Sequence, residues 1–134
     1  MQLAHLAVLA LVIASVQAIC NDAGDVWGAE LDQVVDNLDA VCDELVGDYE
    51  SQAYKSTCRK SGASGKLFGF HVSRTGLQMR TLRHAECVWH LANEVYGCRR
   101  GGMTTVLGWY FRYEAIGCRR YRASVHSRLI TWNT

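Results

Sequence analysis

The chain has 134 residues, 49% of them hydrophobic and 20% charged, with a formal net charge of +1. That is the material of one folded domain, too apolar for an intrinsically disordered chain. The one uninterrupted apolar run lies at the extreme N-terminus, which excludes a polytopic membrane protein.

Residues 3–14 form that run, and Ser15-Val16-Gln17-Ala18 follows it. Val16 and Ala18 approach the small-residue pattern that a signal peptidase accepts, although His5 stands where Lys or Arg is usual. An apolar core of about a dozen residues is short of the roughly 20 that span a bilayer. Residues 1–18 are therefore expected to be a signal peptide cut after Ala18, and 19–134 a single secreted, extracellular domain. Six cysteines lie beyond the cut: Cys20, Cys42, Cys58, Cys87, Cys98 and Cys118. An even number in a small exported domain implies a disulfide framework of three bridges, whose pairing the spacing leaves open. Zinc is the rival use of thiols, but no pair has the C-x-x-C spacing. His84, Cys87 and His90, three apart, spread over more than one face of a helix. No metal and no cofactor are expected.

The charge is neutral only on average. Residues 19–54 hold ten acidic side chains and no Lys or Arg, whereas residues 55–134 hold fourteen basic and three acidic ones. An acidic helix packed beside a basic sheet would explain this, as would a basic surface turned towards an anionic partner.

The acidic part reads as a helix. Leu31, Val34, Val35, Leu38, Val41, Cys42, Leu45 and Val46 fill one face, Asp32, Asp36, Asp39 and Asp43 the other, and Gly47 is a natural stop. Cys42 falls on the apolar stripe, so its partner should lie across the core. Residues 53–58 suggest a short strand and residues 61–65 a turn. Alternation then places Phe68, Phe70 and Val72 on one side of a second strand, with His71 on the other. A second helix is expected over 78–96, with Leu82, Ala85, Val88, Trp89, Ala92, Val95 and Tyr96 as its core face. Cys87 lies off that stripe, which suggests that it ties down a terminus or loop. Arg99-Arg100-Gly101-Gly102 is a turn, and residues 103–113 are rich in β-formers. A last strand or tail carries Arg119, Arg120, Arg122 and Arg128. These elements predict an α+β domain: a two-layer α/β sandwich of two helices on an antiparallel sheet of about four strands, with three disulfides.

No catalytic motif stands out: neither a Gly-x-Ser-x-Gly elbow nor a phosphate-cradling glycine loop is present. The best enzyme reading is a secreted ribonuclease using His71 with His84 or His90, a carboxylate such as Glu86, and arginines for phosphate. Arg99, Arg100, Arg112, Arg119, Arg120 and Arg122, interleaved with Tyr110, Phe111, Tyr113 and Tyr121, suit an anionic partner if they share a surface. Strand alternation alone would produce the same pattern as core plus solvated rim.

A helix ending at Cys98, then Gly101-Gly102, a strand bearing Trp109 and Phe111, and Cys118 resembles the small secreted cysteine-rich proteins of filamentous fungi. These include killer-toxin-like and necrosis-inducing effectors. Cys42, the strand closing at Cys58, and Phe70 and Val72 fit the same α/β sandwich pattern, so the resemblance covers residues 41–118. It implies a protein with no shared catalytic residues that acts by binding a plant-host or competitor-microbe target, in a virulence or antimicrobial role. The candidate contact surface is the arginine set above, and an anionic glycan, membrane surface or protein is the expected partner. Ribonuclease activity and glycan binding are the alternatives.

Overall fold

A computed structural model describes residues 18–22, 26–62 and 64–115. The expected leader up to residue 17, Cys118, and Arg119, Arg120, Arg122 and Arg128 lie outside them. The elements in chain order begin with β1 (Ile19–Cys20), a 3-10 turn (Gly28–Glu30), α1 (Leu31–Asp36), α2 (Leu38–Leu45) and β2 (Gly47–Tyr49). They continue with β3 (Tyr54–Lys60), β4 (Leu67–Arg74), β5 (Arg80–Leu82), α3 (His84–Gly97), β6 (Gly102–Val106) and β7 (Trp109–Ala115). Five strands form an antiparallel sheet in the order β1-β6-β7-β4-β3, while β2 and β5 pair as a separate ribbon. The mixed α/β layering is as expected; three helices replace two, and five strands plus a ribbon replace about four.

The acidic stripe packs as its periodicity requires. Val34, Leu38, Val41, Cys42 and Leu45 are buried, and the four aspartates opposite are exposed. The expected single helix is divided at Asn37, whose backbone N–H is shared between the carbonyls of Gln33 (3.3 Å) and Val34 (3.2 Å). The Asn37 side chain also turns back to the Gln33 carbonyl at 2.6 Å. A donor split between the i−3 and i−4 carbonyls tightens the local turn.

The second helix is shorter than expected and its face is rotated. Residues 80–82 are strand, and α3 buries Cys87, His90, Leu91, Glu94 and Val95. Trp89 and Tyr96, expected in the core, are 63% and 62% exposed. Hydropathy misplaced the face because two polar side chains, His90 and Glu94, point inward. Cys87 does not tie down a terminus: it is fully buried and bonded to Cys42, joining α2 to α3 across the core. Trp89→Ser and Tyr96→Ser are accordingly expected to shift the unfolding free energy by no more than about 0.5 kcal/mol in urea titrations. A loss of several kcal/mol would return those rings to the core.

A second disulfide, Cys20–Cys98, fastens β1 to the end of α3. Cys58 is disulfide-bonded as well, so two of the expected three bridges join described residues on both sides. The β-rich stretch 103–113 folds back on itself. Leu107 and Gly108, at φ +48° and +78°, make the two-residue turn between β6 and β7 that favours positive φ at both positions.

The core lies between α2–α3 and the sheet face bearing Phe68, Phe70, Val72, Trp109, Phe111 and Tyr113. Trp27 stacks on Tyr113 at 5.1 Å and donates its indole N–H to the Cys98 carbonyl at 2.9 Å. The Tyr113 hydroxyl also donates to Cys98 O, at 2.6 Å, so two aromatic donors cap the end of α3. Two ion pairs join the acidic and basic halves, Arg59 with Glu44 at 2.5 Å and Lys66 with Glu30 at 3.8 Å, while Arg80 pairs with Glu86 at 3.0 Å within the basic half. The acidic helix does pack beside a basic sheet.

Candidate binding site

Strands that bury Phe70, Val72 and Phe111 must send the intervening residues to the opposite face, because side chains alternate along a strand. The register of β3, β4, β7 and β6 aligns these outward residues in cross-strand rows. One row runs Ser56, His71, Arg112, Met103; the next runs Tyr54, Ser73, Tyr110, Thr105. Glu114 follows Arg112 on β7, level with Gly69 and Cys58.

His71 is at the centre. Its Nδ1 lies 2.8 Å from Ser56 Oγ, its ring stacks on Tyr54 at 5.3 Å, and Tyr110 meets it edge-on at 6.0 Å. Arg112 Nη2 donates to Glu114 Oε2 at 2.9 Å. All these side chains are half-buried. Burial first, and then the positive charge of Arg112, hold the His71 pKa below the usual histidine range, with Glu114 opposing. The imidazole is therefore neutral at pH 7, able to accept a proton or a hydrogen bond. Two aromatic rings, a guanidinium fork, a carboxylate and a neutral imidazole on one rigid sheet suit a polar ligand with planar or charged groups.

Of the predicted arginines, Arg112 belongs to this cluster. Arg99 and Arg100 are exposed in the loop between α3 and β6, where their carbonyls accept from Trp27 N (3.0 Å) and Asn21 Nδ2 (3.3 Å). Arg119, Arg120 and Arg122 lie outside the described residues. The ribonuclease set drawn from sequence does not converge. His90 is on the helix-facing side of the sheet, stacked on Phe111 at 4.7 Å, opposite His71. His84 opens α3 within 3.2 Å of Asp43 and 3.9 Å of Asp39, and Glu86 pairs with Arg80. Cys87, considered as a zinc ligand, has its sulfur in a disulfide. Tyr54, Ser56 and Glu114 join the cluster only through strand register, so local spacing carried no sign of them. Glu94 was missed because a lone carboxylate in a helix ordinarily faces water.

No protein-family model matches the chain, and no curated protein matches it. Fold and site define a disulfide-bonded two-layer α/β protein with a polar–aromatic cluster on the outer face of its sheet. Among the described residues no helix is long and apolar enough to cross a membrane.

Proposed function

We propose that this is a secreted effector or toxin of the killer-toxin-like kind, acting outside the producing cell by binding an anionic glycan of a plant host or competing microbe. The observation that carries this reading is the row of Ser56, His71 and Arg112 framed by Tyr54 and Tyr110. Aromatic faces take sugar rings, and the guanidinium takes carboxylate or sulfate groups. Three bridges complete the framework under this reading, and Cys58 is disulfide-bonded beside the two bridges already described. Such cross-links suit a protein exposed to extracellular proteases.

The test is a glycan array followed by titration of the best ligand. Arg112→Ala and Tyr110→Ala are each expected to weaken binding about tenfold or more, the range for one charged or aromatic contact. Asp36→Asn, on the exposed helix face, should leave it unchanged. Equal affinity in all three variants sinks the surface assignment. Applying the protein to plant tissue and to microbial cultures separates effector from toxin.

A second reading is favoured by one observation: a neutral imidazole, a guanidinium and a carboxylate lie together on β4 and β7. In a ribonuclease His71 would take the proton of an RNA 2′-hydroxyl while Arg112 neutralises the phosphate. RNA cleavage lost in His71→Ala but kept in His84→Ala would establish it. Absence of cleavage by the native protein removes it.

A further inference from the structure

Glu94 is the least comfortable charge in the described core. Its side chain sits on the sheet-facing side of α3, and the residue is 4% exposed. One carboxylate oxygen, Oε1, accepts from the Thr104 hydroxyl, whereas Oε2 is buried with no hydrogen-bond partner. Burial alone pushes its pKa up to about 7. A buried carboxylate with an unsatisfied oxygen is costly, and a cation is the usual remedy.

Among the described residues the surroundings supply no such cation. His90, one turn earlier on α3, has its pKa lowered by burial. Tyr113 reaches the backbone carbonyl of Glu94 from β7 and leaves the carboxylate alone. Instead, a cavity of about 680 Å³ opens beside Glu94, lined also by Ala18, Trp89, His90, Thr104 and Leu107. Ala18 is there by strand register: Ile19 is opposite Met103 and Cys20 opposite Gly102, which brings Ala18 level with Thr104. The Ala18–Ile19 peptide bond, where the leader is expected to be cut, is thus at the lip of the space that Glu94 faces.

We infer that Glu94 is a binding site for an alkylammonium group, and that its occupant is the α-ammonium of Ile19 released by cleavage after Ala18. This inference rests on the secreted reading. Hydrolysis by the signal peptidase adds one water across the peptide bond: the carboxylate departs on Ala18, and the amine left on Ile19 takes up a proton. The new terminus cannot drift away, because the next residue, Cys20, is bonded to Cys98 and β1 is paired with β6. An ammonium carries three protons, enough to serve both a strand partner and the carboxylate. Removal of Ala18 also clears the space the amine would enter. Processing thereby completes the core, and the unprocessed chain keeps a buried carboxyl group with no counter-charge among the described residues.

The test compares protein secreted with its own leader against protein secreted behind a leader that leaves Gly-Ser ahead of Ile19, each with Glu94 and with Glu94→Gln. The extension is expected to lower the melting temperature by about 5 °C with Glu94 present and by less than about 1 °C in the Gln pair. Equal shifts in both pairs overturn the ion pair. N-terminal sequencing tests the processing step separately: a start other than Ile19 overturns the cut site and the occupant together. Should Glu94→Gln fail to be secreted, acylation of the terminal amine near pH 7 decides. Ile19 should react about tenfold more slowly in the native chain than the terminal Gly does in the extended one, because a paired ammonium deprotonates less readily. Equal rates overturn the assignment.

Discussion

Replacing Cys42 and Cys87 together by alanine is expected to lower the unfolding free energy by about 4 kcal/mol, measured by urea titration of tryptophan fluorescence. The bridge closes a loop with a sequence separation of 45 residues. For a loop of that size the lost chain entropy of the cross-linked unfolded state accounts for about 4 kcal/mol. Both cysteines are fully buried between α2 and α3, so their removal also leaves space that neighbouring side chains fill only partly. A domain of this size commonly has about 5–15 kcal/mol in all, which makes the loss a large fraction of the total. The double replacement is the right variant, since a single one would leave a reactive thiol in the core. A change below about 1 kcal/mol would mean that α2 and α3 are held together by packing alone.

Gly101→Ala is expected to cost about 3 kcal/mol by the same measurement, from backbone strain and overpacking together. Gly101 has φ +89°, and a Cβ there would lie 2.5 Å from the Tyr113 carbonyl oxygen and 2.8 Å from Glu114 Cα. Both neighbours are backbone of β7 and cannot rotate away. The loop 98–101 would have to lift, taking with it the hydrogen bond from Asn21 N to Gly101 O and the anchoring of β1. Exposed Gly97, with open space around its Cα, is the control. Gly97→Ala should leave stability within about 1 kcal/mol. Equal behaviour of the two variants would contradict the close approach at Gly101.

The amphipathic stripe from Leu31 to Val46 was legible because each apolar position in it packs, and Phe68, Phe70 and Val72 were legible because they share one buried face of β4. The α3 face was legible only in part: Val95 is buried and Val88 and Ala92 pack against the core, as expected. A periodicity argument ranks residues by hydropathy, and here His90 and Glu94 point inward while Trp89 and Tyr96 remain wet. Such inversions belong to places where something other than core packing is being arranged. The outer-face cluster was half legible. Arg112 among the aromatics of 109–113 pointed to one member of a surface row, but Tyr54, Ser56 and His71 reach it from strands more than thirty residues earlier, through a register that no local pattern encodes.

The strand order also bears on whether copies of this protein pile up on one another. Among the described residues β3 has a neighbour on one side only, leaving a row of main-chain donors and acceptors that could template the addition of a foreign strand. Of its cations, Arg59 is paired with Glu44 and Lys55 donates to the Val46 carbonyl, whereas Lys60 at its end is exposed. A border that ends in an exposed cation disfavours edge-to-edge stacking of copies.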